Sequence, residues 1–400
     1  MKHFLFDQID SWFFKEARSM DFSGAAGRES VFPPASRTLL GAIRHQIGNR
    51  FHQKQGTNWS DFAGELCLGL REMIGCGTDY GNLQAQGVWL YNNQGQQLYF
   101  PLPANILQQE ESDKASYTFF SLGKPVRCDL GTVRLPAMDF NRHQKTIENA
   151  WVSADQFSCI LTGQVPKKII AADTVFAVEP RLGIGMNRPS RTVQQGMLFL
   201  TRHLRLRPNW RLYLGVEGID EELAPNQSLL LRLGGEARMA ALSCLPAPPE
   251  LPKPPEPQRI KANNWLMLYL ITPLPDWRKP EEKSIPPLPN KNFKAQEEET
   301  TGPAATTYWR GEICGQNMRI FSAVMNKPER VGGWDLAQHQ STPVKSFIPA
   351  GSCWYIRPES VAHATDIIKT LHGKYLTEGS ERAQGFGQML IGTIPAPAHD

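Results

Sequence analysis

The sequence predicts an α+β fold in which two β-α-β-β-α-β units flank a proline-rich connector. Three observations lead there. First, a proline run, PAPPELPKPPEP, occupies residues 246–257 of the 400. Proline fixes φ and lacks an amide donor, so such a run stays out of sheets and helices and reads as a stiff, extended linker. Second, helical periodicity is confined to one clear stretch in each half. Third, most of the rest is short apolar or alternating runs bounded by Gly, Pro and Asn, the pattern of strands and turns.

The elements follow in order. Residues 3–9 (HFLFDQI) read as the first strand, continued by Trp12-Phe13-Phe14. Residues 37–51 place Leu39, Leu40, Ile43, Ile47 and Phe51 on one helical stripe. Ser36, behind two prolines, offers an N-cap hydroxyl, and Arg44, His45, Arg50 and His52 lie on the polar side. Residues 87–91 and 97–101 read as strands around Asn92-Asn93-Gln94-Gly95. Residues 197–206 and 210–216 read as a strand pair turning at Pro208-Asn209. Residues 236–245 make a last strand after Gly234-Gly235.

Beyond the linker, residues 264–272, 310–324 and 346–357 read as strands. Residues 360–372 carry Val361, Ala364, Ile367, Ile368 and Leu371 on a helical stripe, and residues 388–395 close as a strand. Helices on one face of an antiparallel sheet make a ferredoxin-like (RRM-like) plan, here with the second unit's first helix replaced by a loop. The expected domains are residues 1–245, carrying a central hairpin insertion, and residues 258–400, ending in a glycine-rich loop and strand. Stretches near 60–133 and 280–303 are expected to be long loop insertions.

Composition narrows the function classes. Hydrophobic residues are 41% and charged residues 20%, enough apolar material for real cores. No run approaches ~18 apolar residues, so no membrane span is expected. Asp7, Asp10, Lys15 and Glu16 interrupt the N-terminal segment, which does not read as a secretory signal. Seven cysteines without C-x-x-C spacing read as reduced thiols of a cytosolic protein. Phosphate-loop, H-E-x-x-H, EF-hand and G-x-S-x-G motifs are missing. The dispersed histidines form no zinc-like spacing, so neither metal nor cofactor is expected.

Charge is balanced overall, 43 Lys+Arg against 39 Asp+Glu, but locally segregated. Arg181, Arg188, Arg191, Arg202, Arg205, Arg207 and Arg211 fall in one segment without an acidic residue or a lysine. A guanidinium can grip two phosphate oxygens or stack on a base. The same arginines would equally pair with carboxylates from elsewhere; Glu281, Glu282 and Glu297 to Glu299 are the conspicuous acidic cluster. Within the segment, Leu182-Gly183-Ile184-Gly185-Met186-Asn187-Arg188 combines glycines with flanking arginines, so a phosphate or ribose can approach the main chain. Met186 would wedge between bases or pack on its own domain. Glu381-Arg382-Ala383-Gln384-Gly385-Phe386-Gly387 repeats the theme, with an aromatic for stacking, or is a tight turn before the last strand. Val331-Gly332-Gly333-Trp334, beside Arg330, is a third glycine-aromatic loop.

These residues resemble a known family. Trp12-Phe13-Phe14-Lys15-Glu16-Ala17-Arg18 and Phe32-Pro33-Pro34-Ala35-Ser36-Arg37-Thr38-Leu39-Leu40-Gly41-Ala42-Ile43-Arg44 are similar to the opening of repeat-associated mysterious proteins (RAMPs). More closely, they resemble the third-subunit family of the type III-B (Cmr) CRISPR effector complex. The segment from Arg181 to Phe199, Leu233-Gly234-Gly235-Glu236-Ala237-Arg238 and Gly385-Phe386-Gly387-Gln388-Met389-Leu390-Ile391-Gly392 agree in order and spacing. The resemblance implies two ferredoxin-like domains and a non-catalytic subunit that grips the 5′ tag of the CRISPR RNA. Its implied partners are the large polymerase-like subunit and the backbone RAMP subunits. Carried over, Arg181, Gly185, Met186, Asn187, Arg188 and Arg191 on the hairpin become RNA contacts, as do Arg382, Gly385, Phe386 and Gly387 in the last loop. Arg37 and Arg44, at the first helix, join them.

Two other readings stand beside this one. RAMP relatives include metal-independent endoribonucleases that mature CRISPR RNA. On that reading His45 is a general base toward a ribose 2′-hydroxyl. Alternatively, the arginines meet an acidic protein surface and the chain is an adaptor without direct RNA contact.

Overall fold

A computed structural model of the chain describes residues 1–15, 29–56, 67–111, 114–139, 142–187, 189–225, 228–261, 264–278, 286–298, 305–335 and 340–395. The protein is a strand-rich α+β molecule with few helices. None of the described helices is long and apolar enough to cross a membrane.

The first half contributes β1 (Lys2–Gln8), α1 (Ser36–Gln55), β2 (Gln84–Asn92), β3 (Gln97–Pro101), β4 (Ala150–Ser153) and α2 (Ala154–Leu161). It continues with β5 (Phe176–Asn187), β6 (Thr192–Leu206), β7 (Trp210–Glu217) and β8 (Met239–Cys244). One antiparallel sheet runs Ile170–Ala171, β4, β3, β2, β7, β1, β8 and Leu229–Arg232. The second half contributes β9 (Trp265–Leu270), β10 (Thr306–Ile313), β11 (Gln316–Val324), β12 (Glu329–Asp335), β13 (Gln340–Ile348), β14 (Cys353–Ile356), α3 (Val361–Leu371), α4 (Gly379–Ala383) and β15 (Met389–Ile394). Its sheet runs Lys294–Glu298, β10, β11, β14, β9 and β15. The central orders, β2-β7-β1-β8 and β11-β14-β9-β15, are the same permutation of first, second, third and last strands.

Side-chain alternation explains how the sheets stack. On β1, Phe4 and Phe6 face α1, where Leu39, Leu40, Ile43 and Ile47 are buried. Leu5 points the other way, into a core shared with the second sheet. That shared core also takes Trp89, Phe100, Phe157 and Tyr213 from the first half, and Met267, Tyr269, Phe321 and Tyr355 from the second. Across the second sheet, Leu266, Leu268, Ile320, Trp354 and Ile391 meet Ala364, Ile367, Ile368 and Leu371 of α3. The layers therefore run helix, sheet, sheet, helix. Trp89 Nε1 donates across the seam to the Ile271 carbonyl (3.1 Å).

Several expected elements change. Residues 197–206 and 210–216 do not pair with each other. β6 pairs with β5, whereas β7 is buried along most of its length and is gripped on both edges by β1 and β2. The expected strand at 310–324 is two strands reversing at Cys314 and Gly315, both at positive φ. The expected strand at 346–357 breaks between β13 and β14, where Pro349 and Gly351 fall. Ser36 is not the N-cap of α1; Ala35 is, and it provides no side-chain hydrogen bond. The loop expected at Val331-Gly332-Gly333-Trp334 is strand β12. Much of the stretch near 60–133 is strand rather than loop; Gly131–Ala137 sends Val133 into the core under α3. Lys294–Glu298, inside the other expected loop, pairs with β10.

The proline segment is fastened near its middle. The Lys253 amide donates to Ser158 Oγ (3.0 Å), and His372 Nε2 lies 3.0 Å from the Pro252 carbonyl. His372 Nδ1 accepts from the Ile391 amide at 3.4 Å. An acceptor at Nδ1 and a donor at Nε2 define the neutral ring, and burial lowers the pKa from the usual 6.5. A depressed pKa gives stability that is complete above 6.5 and is lost as pH falls through the folded value. Urea midpoints measured from pH 7.5 to 5 should therefore fall more steeply for the wild type than for His372→Gln. Parallel profiles would show that the histidine does not hold the segment.

Candidate nucleic-acid interface

β5 and β6 form a separate two-stranded ribbon, in register from Phe176↔Leu206 to Asn187↔Thr192, with an irregularity between Ile184 and Met186 where Gly185 sits. Its base is tied to the body by backbone. Trp12 and Leu204 exchange both hydrogen bonds (2.9 and 2.8 Å). The Gln8 amide donates to the Leu204 carbonyl and accepts from the Leu206 amide (2.8 and 2.7 Å).

The polar face of the ribbon is an ion-pair cluster. Arg238, Arg205 and Arg181 converge on the Asp10 carboxylate at 2.7, 3.0 and 3.4 Å. Arg205 and Arg181 also reach Glu179, at 3.0 and 3.5 Å. Hydrogen bonding from Arg205 is the main influence that lowers the pKa of both acids. Beside them, buried His203 stacks on Phe13, contacts Ser11 Oγ at 3.0 Å and lies 3.1 Å from Glu236.

The arginine-rich segment is thus mostly occupied. Arg202 pairs with Glu29 (3.2 Å), Arg211 with Asp7, and Arg207 donates to the Asp173 carbonyl (3.2 Å). Among the described residues its carboxylate partners are Asp7, Asp10, Glu29 and Glu179; Glu281, Glu282 and Glu299 of the acidic cluster lie outside the described residues. Arg181, expected as an RNA contact, is a structural ion pair in this conformation. Arg191 has no hydrogen bond or ion pair among the described residues and sits at the turn with φ +53°. Arg188 lies outside the described residues.

The other face of the ribbon is apolar and open. Leu182 is 76% exposed, and Ile184, Met186, Val193 and Leu198 are each about half exposed. The Phe199 ring crosses Gly183 so closely that a Cβ there would lie 2.4 Å from it and the ring would have to shift. Asn187 shapes the turn by accepting from the Ser190 amide (3.4 Å).

The C-terminal glycine loop turns its side chains toward the body of the protein. Phe386 is 4% exposed and packs on Phe347 with ring centroids 4.8 Å apart, so it offers no open face for a base. Arg382 lies over the Tyr375 ring at 3.6 Å and donates to the Ala85 carbonyl (3.3 Å). Gly385, at φ +77°, brings the loop against β2; a Cβ would stand 2.7 Å from the Ala85 oxygen. The Gly387 amide donates to the Pro273 carbonyl (2.8 Å). The loop joins the two halves of the molecule.

The α1 candidates are also engaged. Arg44 donates to the Gly77 and Asp79 carbonyls (3.3 and 3.2 Å) and lies over the Tyr80 ring. Arg37 reaches Thr342 Oγ1 at 3.5 Å, in β13. His45 is exposed; burial of part of its ring and the nearby Arg232 lower its pKa. The residue that sequence reasoning missed is Asp10, a lone acid after β1 whose three cations are 171, 195 and 228 residues away.

With fold and ribbon described, the class follows: a CRISPR-associated protein, the description of the family model that matches residues 5–394. The chain belongs to that family, Cas_Cmr3. No curated protein matches the sequence. Among solved structures, a chain of a type III-B Cmr-beta complex bound to cognate target RNA is 12% identical, with TM-score 0.49, covering 97% of this chain and 96% of that one. A chain of the Cmr-beta complex with target RNA and AMPPnP gives 12%, TM-score 0.46, and 91% and 88%. A chain of the Csm3–Csm4 subcomplex of the type III-A interference complex gives 10%, TM-score 0.35, and 90% and 94%. Membership rests on the family match.

The glycine loop yields a direct test. Gly385→Ala combines an unfavourable φ with a backbone clash and should destabilise the protein by roughly 2 kcal/mol or more in urea unfolding. Gly379→Ala, at φ +55° with nothing near its Cβ, should cost about 1 kcal/mol. Equal costs would mean that the contact with β2 contributes nothing.

Proposed function

We propose that this chain is a non-catalytic, CRISPR-RNA-binding subunit of a type III-B RNA-guided complex. It holds the 5′ tag of the guide and docks the large polymerase-like subunit and the backbone RAMP subunits. On this reading it consists of two ferredoxin-like domains, 1–245 and 258–400, joined by 246–257. The matching strand permutations support that plan, each unit retaining one helix, α1 or α3. Family membership supports the CRISPR role.

The observation that carries the RNA reading is the ribbon. Its base is held by Asp10 and Glu179, and its end presents Gly185, Met186, Asn187 and Arg191, which pairs with none of the described residues. A rigid base with an open cation and small residues suits single-stranded RNA, where phosphate contact and base stacking add. Met186 is a wedge between bases in this scheme. The ribbon's other open apolar side chains suit the partner subunits. The reading gives His45 no catalytic role; burial of part of the ring and the nearby Arg232 cation lower its pKa.

Each phosphate neutralised on a single strand contributes about 0.7 to the slope of log affinity against log salt. Arg188→Ala with Arg191→Ala should lower that slope by roughly one unit or more for tag RNA. Arg181→Ala, which removes an ion pair with Asp10, should loosen the ribbon and leave the slope nearly unchanged. An unchanged slope in the double variant would take the ribbon end out of the RNA footprint.

A further inference from the structure

The turn between Leu229–Arg232 and β8 is held in an unfavourable backbone conformation. In Leu233-Gly234-Gly235-Glu236-Ala237-Arg238, Glu236 and Ala237 stand at φ +55° and +53°, just after Gly234 at +88°. Glycine enters the left-handed region freely, whereas a β-carbon makes it costly. Two such residues in succession persist only where their surroundings hold them. Ala237 contributes a methyl group alone, so the cause lies in what Glu236 reaches.

The turn rests on Phe13. The Gly235 amide donates to the Phe13 carbonyl at 2.8 Å. A Cβ on Gly234 would stand 2.8 Å from the Phe13 oxygen, and one on Gly235 3.1 Å from the Phe13 ring. Phe13 in turn stacks on His203 of β6, with centroids 5.3 Å apart and planes at 15°. Glu236 completes the circuit. Its Oε2 is 3.1 Å from His203 Nε2 and 3.3 Å from Arg238 Nη2. Arg238 Nη1 is 2.7 Å from Asp10, closer than Arg205 or Arg181.

His203 is fully buried, with Ser11 Oγ 3.0 Å from its Nδ1. Burial holds its pKa below 6.5; Arg238 and Arg181 act in the same direction, and Glu236 acts against them. A neutral ring that accepts from Ser11 at Nδ1 carries its proton at Nε2, toward the carboxylate. One carboxylate thus connects the ribbon strand β6, the segment after β1 and the guanidinium nearest Asp10.

We propose that Glu236 is the positioning residue of the ribbon. Its carboxylate, aimed by the left-handed turn, locks β6 through His203 and Arg238 in the orientation that presents the ribbon's end. The lock deepens the RNA-holding function above and rests on it for its consequence; Glu236 itself contacts no RNA.

The test uses the full chain. Hydrogen exchange followed by mass spectrometry on residues 176–206 should be roughly threefold faster or more in Glu236→Gln, with α1 and β9 unchanged. Glu236→Gly eases the turn but deletes the carboxylate, and should open the ribbon as far as Glu236→Gln does. Ala237→Gly eases the turn and keeps the carboxylate, and should exchange no faster than wild type. Wild-type exchange in both Glu236 variants, equal opening in Ala237→Gly, or acceleration spread over α1 and β9 would overturn the lock. A second readout separates contact from general stability. With histidine labelled for NMR, the His203 midpoint should fall further in Glu236→Gln, and an unchanged midpoint would overturn the carboxylate's action on the ring. For tag RNA, Glu236→Gln should weaken binding roughly threefold or more at an unchanged salt slope, because the competent orientation is depopulated and no phosphate contact is lost. An opened ribbon with wild-type affinity would overturn the positioning role. Wild-type protein that takes no tag RNA would instead contradict the proposed function, while the exchange and NMR readouts still decide the lock.

Discussion

Two sheets packed back to back determine where everything else in this protein can be. The seam between them is aromatic: Trp89 stacks on Tyr213 with planes 3° apart, and Phe157 meets both Phe100 and Tyr269 edge-on. Each fully buried large side chain there is worth about 1.5–3 kcal/mol. The alternation of β1, β7 and β9 assigns successive residues to the seam or to a helix-covered face, so a one-residue slip would invert both cores. The two halves therefore behave as one body despite the proline segment between them. The fastened linker and the Arg382 and Gly385 contacts to β2 tighten the same joint.

That rigidity gives the ribbon its meaning. A two-stranded hairpin alone is marginal in water, and this one presents an apolar face to solvent. It is held because Leu204 is bridged to Trp12 and because Asp10 gathers three guanidinium groups. Surface ion pairs are individually weak, but a shared carboxylate and a backbone clasp restrain the same few residues. Most arginines of the segment hold the ribbon in place, and Arg191 at its end pairs with none of the described residues.

The sequence made the two main helices legible because their apolar stripes are uninterrupted. It also located the first and last strands of both halves. Pairing was harder to read. Asn209 does turn, at φ +71°, which made 197–206 and 210–216 look like a hairpin, yet β7 is the strand that both β1 and β2 need. The reversal at Cys314-Gly315 was hidden because cysteine is not a turn former. At the site, composition marked the arginines but carried no sign of their acids, since Asp10 is adjacent to them only in space. Phe386 looked like an open aromatic beside glycines. Its burial depends on Phe347, which no local pattern connects to it. At the start of α1, Ser36 carries capping chemistry one position too late, so the sequence points to a cap that Ala35 does not supply.

Together these features describe a protein whose shape is made by apolar stacking and which, on the function proposed above, touches RNA at few and localised places. Photocrosslinking of a CRISPR RNA to the assembled complex, followed by peptide mapping on this chain, tests that description most directly. Crosslinked peptides should fall on the ribbon around residues 183–193 and at the start of α1. Crosslinks confined to other surfaces, or a guide transcript that never contacts this chain, would contradict it.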